Sequence, residues 1–325
     1  MSLAGILDSL IEAPVVPSFT KVGYQLRSRI DRWTDLANYD LTGRTIVVTG
    51  ATSGLGRQAA EQFARLGAHV IISGRNAAKA ARVRADIASR TGSSELSVAC
   101  ADMAELAEVR AMADELIAAH PRIDVLVHNA GALTANLTVN SGGIESTVAS
   151  QVLGPFLLTS LLIPALREGS PGRVLTMSSG GMYAAALTVE NLQMTEAAYR
   201  GSDQYARTKR AQVTLNEVWA QQFERSELVF HAMHPGWADT PGVQESLPQF
   251  RRLMKPLLRT SAEGVDTLVW LAADDAEPVR TSGDFWLDRR RRITHRLAST
   301  RRSDTPKRRQ ELWDWCVDQT GTQPD

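Results

Sequence analysis

Thr45-Ile-Val-Val-Thr-Gly-Ala-Thr-Ser-Gly-Leu-Gly56 decides the fold. The stretch begins as a short β-branched run ending at Thr49, the composition of a strand buried on both faces. It turns through glycines at 50, 54 and 56, then enters a helical pattern that runs through Leu66 and stops at Gly67. Glycines let a main chain approach a pyrophosphate closely, and a helix N-terminus offers free N–H groups and the positive end of its dipole. The alternative is a tight glycine turn with no ligand. The spacing differs from the more widespread G-x-G-x-x-G.

The same alternation continues along the chain. Ala68–Ser73, Leu96–Cys100, Ile123–Val127, Arg173–Met177, Leu228–His231 and Asp284–Leu287 read as further short strands. Helical patterns separate them: from a cap at Asn76 to about Arg90, Glu105 to His120, Gly143 to Leu166, 203–225, and Ala262 to Ala273. This implies an α/β fold, a single Rossmann-like doubly wound parallel sheet of about seven strands with helices on both faces. No linker or repeat interrupts it. The expected division is a helical extension over 1–40, the sheet domain over 41–300, and a tail over 301–325. In that tail a short helix, Lys307 to Val317, docks through Leu312, Trp313 and Trp315.

Of the 325 residues, 43% are hydrophobic and 22% charged, which is enough apolar material for a full core. The formal net charge is +0, so bulk electrostatics predict no nucleic-acid partner. The runs Arg289-Arg290-Arg291-Arg292 and Lys307-Arg308-Arg309 read as solvated faces. Cys100 and Cys316 lie far apart without metal-type spacing, so neither a disulfide framework nor a metal site is expected, and Cys100 reads as a small core residue. No secretory leader is visible. The longest apolar run, about Val152 to Leu166, is interrupted by Pro155 and Pro164 and is too short to span a bilayer. A cytoplasmic protein is the expectation.

Ahead of the first strand, Ile6, Leu7, Leu10 and Ile11 have helical spacing. After Pro14 and Pro17 a second periodic piece sets Val22, Leu26, Ile30 and Trp33 against Lys21, Arg27, Arg29 and Arg32. A helix packed on the main body is the preferred reading. Peripheral contact of residues 18–36 with an anionic membrane is the alternative, with Asp31 and Asp35 diluting the basic face.

Tyr205-Ala-Arg-Thr-Lys209 places a phenol and an ammonium four residues apart on one helical face. Lys209 would favour the phenolate and lower the Tyr205 pKa, and a tuned phenol exchanges a proton with a carbonyl or alcohol near neutral pH. Ser178-Ser179 follows the fifth strand, at the edge where ligands sit in such sheets, and one hydroxyl can bind a substrate carbonyl. His128-Asn129-Ala130-Gly131 follows the fourth strand, where Asn129 braces the strand ends. His234-Pro235-Gly236-Trp237-Ala238-Asp239-Thr240 follows the sixth, a turn suited to a nicotinamide. The second strand ends at Ser73-Gly74-Arg75, where a site specific for NAD often has Asp or Glu. A guanidinium suits a 2′-phosphate, so NADP(H) is expected over NAD(H). Asp102 can meet the adenine amino group or face solvent.

Together these motifs resemble the short-chain dehydrogenase/reductase family over roughly residues 40–290. Ser178-Ser-Gly-Gly-Met182 and Met233-His-Pro-Gly-Trp-Ala-Asp-Thr-Pro-Gly-Val243 are similar to its retinol-dehydrogenase-like branch. The resemblance implies that Thr49, Gly50, Thr52, Ser53, Gly54, Leu55 and Gly56 hold the cofactor diphosphate. It implies that Asp102 and Met103 meet adenine, that Asn129, Ala130 and Gly131 line the centre, and that Pro235, Gly236, Trp237 and Thr240 contact the cofactor. Ser179 looks like the catalytic serine, Tyr205 the acid/base, and Lys209 the residue that binds the nicotinamide ribose. Relatives carry an asparagine as a fourth catalytic residue; Ser150-Gln151-Val152-Leu153-Gly154 has Gln151 there, an amide on a longer stem. Gln151 either orders a proton-relay water or misses the position.

The function expected is NADP(H)-dependent interconversion of a carbonyl and an alcohol; the alternative is a catalytically weak nucleotide-binding regulator. Two segments are expected to line the substrate entrance. One carries Met182, Tyr183, Leu192 and Met194, the other Leu247, Phe250, Leu253 and Met254, and both suit an apolar or lipid-like substrate. Relatives often pair through helices near 143–168 and 203–225, so a homodimer is expected, with the extensions either blocking or extending that contact.

Overall fold

The structure, a computed structural model, describes residues 3–323. Met1, Ser2, Pro324 and Asp325, which the two extensions include, lie outside the described residues. Among the described residues eight strands form one sheet: β1 (Thr45–Val48), β2 (His69–Ser73), β3 (Leu96–Ala99), β4 (Val125–His128), β5 (Gly172–Met177), β6 (Leu228–Met233), β7 (Phe285–Leu287) and β8 (Arg290–Arg292). Their order is β3-β2-β1-β4-β5-β6-β7-β8, and neighbours are parallel except at β7 and β8. The order reverses between β1 and β4, which opens a crevice at their carboxyl ends.

Successive residues of the strands feed opposite cores. Ile46 and Val48 pack with α4 (Gly54–Arg65), α5 (Ala77–Thr91) and α12 (Ser261–Ala273), whereas Val47 packs with α6 (Leu106–Ala119) and the helices that follow it. That second set comprises α7 (Ser146–Val148), α8 (Gly154–Arg167) and α9 (Gly201–Trp219). A π-turn, Ala149–Leu153, joins α7 to α8. The stretch 146–167 is apolar and long enough to cross a membrane, but 78% of its apolar window is buried inside the protein, so it is a core helix here.

The eighth strand corrects the reading of Arg289–Arg292 as a solvated run. Arg290 pairs with Asp31 and Asp8, Arg292 with Asp8 and Glu12, and Arg289 with Asp266; Arg291 alone of the four is exposed. The β7–β8 hairpin turns through Asp288 and Arg289 with φ of 55° and 51°. Two left-handed residues suit a type I′ hairpin, a place usually taken by Asn-Gly. Buried ion pairs of both side chains hold these non-glycine residues there.

The N-terminal extension folds as α1 (Leu3–Glu12), α2 (Val15–Phe19) and α3 (Lys21–Ile30). Arg27, read as part of a basic outer face, is instead fully buried. Its guanidinium donates to Asp8, Glu12, Asp288 and the Ser18 carbonyl. The helix therefore packs on the body, as preferred, and its arginine faces inward because these acceptors converge there.

Two short helices, α10 (Pro241–Ser246) and α11 (Pro248–Met254), follow β6, and α13 (Ala298–Ser303) and α14 (Pro306–Thr320) close the chain. Leu312 and Cys316 of α14 are buried against the core beneath α8 and α9, and Trp313 packs edge-on to Phe156 and Trp219 at 5.0 and 4.7 Å. That is the face expected to pair two chains, and α14 covers part of it.

Candidate active site

The glycine turn is shaped by Asn129. Its side-chain NH2 donates to the Thr49 and Gly50 carbonyls at 3.0 and 3.2 Å, and its backbone N–H donates to the Thr49 hydroxyl. The Ala130 N–H donates to the same hydroxyl. This ties the carboxyl ends of β1 and β4 together, as expected of Asn129. A Cβ at Gly56 would lie 2.2 Å from the Asn129 amide nitrogen, so only glycine fits. Gly54 has φ +53°, and a Cβ there would lie 3.7 Å from the Thr240 Cβ, so the first turn and the turn after β6 come to one place. Thr52 packs under Gly74, Ser53 is the N-cap residue of α4, and Leu55 packs near Gly264. Arg75 is largely exposed, and its guanidinium stands 3.7 Å from the Asp102 carboxylate. Asp102 accepts from the Ala104 N–H and is partly exposed, while Met103 is buried with its carbonyl against Gly154. The Met103 side chain thus serves packing.

Gly236 completes the turn after β6. Its φ is +72°, and a Cβ there would meet the Arg259 guanidinium at 2.3 Å. Arg259 donates to the Pro235 carbonyl and to Asp288, and its backbone N–H donates to the Trp237 carbonyl. Trp237 in turn donates from its backbone N–H to the Phe19 carbonyl. Phe19 also lies edge-on to His234 at 4.4 Å and fills the space beside Gly180. Neither Phe19 nor Arg259 was marked by the sequence. Phe19 acts through His234 and Trp237, far along the chain, and Arg259 through Pro235, Trp237 and Asp288 in other elements, so no local pattern carries that signal.

Ser179 and Tyr205 converge. A Cβ added at Gly181 would meet the Ser179 hydroxyl at 3.6 Å and the Tyr205 ring at 3.9 Å, so the two side chains border one space. Ser178, by contrast, is buried and donates to the Lys209 carbonyl, so the second serine of the pair faces the site. Lys209 Nζ lies 5.2 Å from the centre of the Tyr205 ring and donates to the Met177 carbonyl at 3.0 Å and to Gln212 Oε1 at 2.9 Å. Burial pushes the Tyr205 phenol above its ordinary value, and the Ser179 hydroxyl opposes that rise. The expected lowering by Lys209 is therefore corrected. Burial brings Lys209 itself down to about 7, so it is only partly charged at neutral pH.

Gln151 lies in the π-turn and is fully buried. Its amide donates to the Ala132 carbonyl at 2.9 Å and packs on Gly131, away from Lys209. The entrance segments also differ from expectation. Met182, Tyr183, Leu192 and Met194 are buried, Met182 and Tyr183 in a cluster with Phe19, Phe285 and Leu287. They are packing, not lining. Of the other segment, Leu247 and Leu253 are exposed, and Phe250 packs on Trp237 at 5.1 Å.

A phenol, a hydroxyl and a lysine at the carboxyl edge of a parallel sheet, beside a glycine turn, match the family pattern. The family model for short chain dehydrogenases fits residues 44–250. The chain belongs to the short-chain dehydrogenase/reductase family. It is an oxidoreductase of its retinol-dehydrogenase-like branch, acting on CH–OH or C=O groups. It is 34% identical over 298 residues to human dehydrogenase/reductase SDR family member 12, covering 90% of this chain and 91% of that one. It is 31% identical to retinol dehydrogenase 12 of Bos taurus, over 76% of this chain and 78% of the relative. A short chain dehydrogenase from Escherichia coli CFT073, solved in complex with NADPH, superposes with a TM-score of 0.62 at 26% identity, covering 76% of this chain and 96% of that one.

Proposed function

We propose that this dehydrogenase uses NADP(H), not NAD(H), and reduces an apolar or lipid-like ketone or aldehyde to the alcohol. The observation that carries this is the meeting of Ser179, Tyr205 and Lys209 beside the glycine turn. The residues fit a dinucleotide: Gly50 and Gly56 let the turn close on Ala130 and Asn129, Gly54 leaves it open at the N-terminus of α4, and Arg75 stands exposed to take a 2′-phosphate. Bound there, the nicotinamide supplies the hydride. Ser179 and Tyr205 hold the substrate oxygen by donated hydrogen bonds, and Tyr205 delivers the proton. With its pKa raised, the Tyr205 phenol rests protonated, the form from which reduction draws its proton. Lys209 holds the nicotinamide ribose. Exposed Leu247 and Leu253 on the segment after Thr240 support an apolar substrate.

Exposed Leu10, Val15, Val16, Val22 and Leu26 support peripheral membrane contact that includes residues 18–36, by apolar surface more than by the basic face first read there. A cytoplasmic location and the division into 1–40, 41–300 and 301–325 are part of the same proposal. Nicotinamide absorbance, followed with NADPH across aldehydes and ketones of increasing chain length, tests the reading. The expectation is turnover that rises with chain length, and a fall of about tenfold in NADPH affinity in Arg75→Ala. NADPH binding without turnover across the panel would favour the regulator; equal use of NADH would remove the role given to Arg75.

A further inference from the structure

Gln212 stands between the proposed lysine and the main chain of the π-turn. We propose that Gln212 is the positioning residue for Lys209: its amide ties the ammonium to the main-chain carbonyl of Gln151. The inference rests on the roles given above to Lys209 and Tyr205. Lys209 Nζ donates to Gln212 Oε1 at 2.9 Å, and Gln212 Nε2 donates to the Gln151 carbonyl at 2.7 Å. An ammonium can only donate and a carbonyl can only accept, so the amide fits in one orientation alone. A hydrophobic side chain satisfies neither end, and a carboxylate satisfies only the lysine.

The fold supplies the rest. Gln212 is three residues after Lys209 on α9, so one helical face carries both. The widened turn at Ala149–Leu153 presents the Gln151 carbonyl to α9. The Gln151 side chain points instead to Ala132. The longer amide at position 151 therefore leaves Lys209 untouched, and it is the main chain of that residue that matters. Gln212 also lines a cavity of about 30 Å³ shared with His128, Gln151, Thr159 and Asn216, whereas Lys209 does not reach it. The groups facing Lys209 are Tyr205 from its own helix, the Met177 carbonyl from β5 and the Gln212 amide; burial is the cause of its lowered pKa, and no carboxylate contributes.

Three variants of the full chain test this: Gln212→Leu, Gln212→Glu and, as reference, Lys209→Met. Two measurements are made on each folded protein. One is NADPH affinity by fluorescence titration; the other, where Lys209 is present, is its pKa from pH-dependent labelling of the ε-amine, resolved by peptide mass. Gln212→Glu is expected to raise the Lys209 pKa by about 1–3 units. Gln212→Leu is expected to weaken NADPH about tenfold, through loss of a hydrogen bond to a charged group. A merely structural glutamine would leave the labelling pKa where it is. An unchanged Lys209 pKa in Gln212→Glu overturns the proposal, whether or not Gln212→Leu folds. If Lys209→Met binds NADPH as tightly as the wild type, the role given to Lys209 fails, while the labelling pKa still decides whether Gln212 holds the amine.

Discussion

The two ends of the chain attach to the same sheet by different means. The N-terminal helices are held by buried charge: Asp288 sits between Arg27 and Arg259, with Asp8 and Glu12 around the same guanidinium and Arg292. The C-terminal helix is held mainly by apolar and aromatic packing of Leu312, Trp313 and Cys316 on Phe156 and Trp219, with Arg309 paired to Asp304 and Glu217 at the half-buried rim. The first attachment reaches the turn after β6, since Arg259 and Phe19 bond to Pro235 and Trp237. The second covers a helix face remote from that turn. Buried ions demand every partner at once, whereas apolar packing is lost piecemeal. Damage to the N-terminal attachment should therefore be felt at the active site, and damage to the C-terminal one in stability alone.

The largest effect should come from Asp288→Asn, which leaves Arg27 and Arg259 buried without their shared anion. Denaturant unfolding should show a loss of about 3–5 kcal/mol, and NADPH affinity should fall with it because Arg259 braces Pro235. Unchanged affinity would separate the extension from the site. Leu312→Ala should cost about 2–4 kcal/mol by the same unfolding measurement and leave NADPH affinity as it was; a loss of affinity here would erase the contrast.

Acid should divide the two regions further. Burial works against ionisation of Asp8, but Arg292 and Arg27 bring it down to about 2, and Arg259 and Arg27 hold Asp288 below the ordinary carboxylate range. A carboxylate with a depressed folded pKa stabilises above its unfolded value and loses that contribution as pH falls through the folded one. The part due to Asp8, about 2 kcal/mol, should thus be present above about pH 4 and lost toward pH 2. Amide exchange in α1–α3 should accelerate over that window. Asp304 is lowered too, by Arg309 and His295 against its burial, so α14 should weaken in acid but keep its apolar anchor. The smallest effect belongs to Thr305→Ala at the N-cap of α14, whose hydroxyl accepts from the Arg308 N–H. It should cost about 1 kcal/mol in thermal unfolding without any change in NADPH affinity.

Much of the site could be read from residues alone, because each motif sits at the end of a strand or on one helical face. Ser179 follows β5, Asn129 follows β4, and Tyr205 and Lys209 share α9. Their meeting follows from the parallel order of the strands. What could not be read depends on partners far along the chain. Arg27 and Asp288 are 261 residues apart, so an arginine in an amphipathic pattern looked like an outer face. The arginines of β8 looked solvated for the same reason, since their acids lie in α1 and just after α3. Met182 and Leu192 carried an apolar signal that cannot distinguish lining from core. Gln212 did leave a trace, an amide three residues beyond Lys209 on the same face, but its second partner is a main-chain carbonyl, which no side-chain pattern reveals.

The central claim is that Tyr205 delivers the proton at a site shared with Ser179 and Lys209. Its most direct test is Tyr205→Phe, assayed with NADPH and the best carbonyl substrate of the chain-length series, with NADPH affinity measured on the same sample. Turnover falling about 10²–10⁴-fold while affinity stays near that of the wild type is the predicted result; a variant that consumes NADPH at the wild-type rate would contradict it.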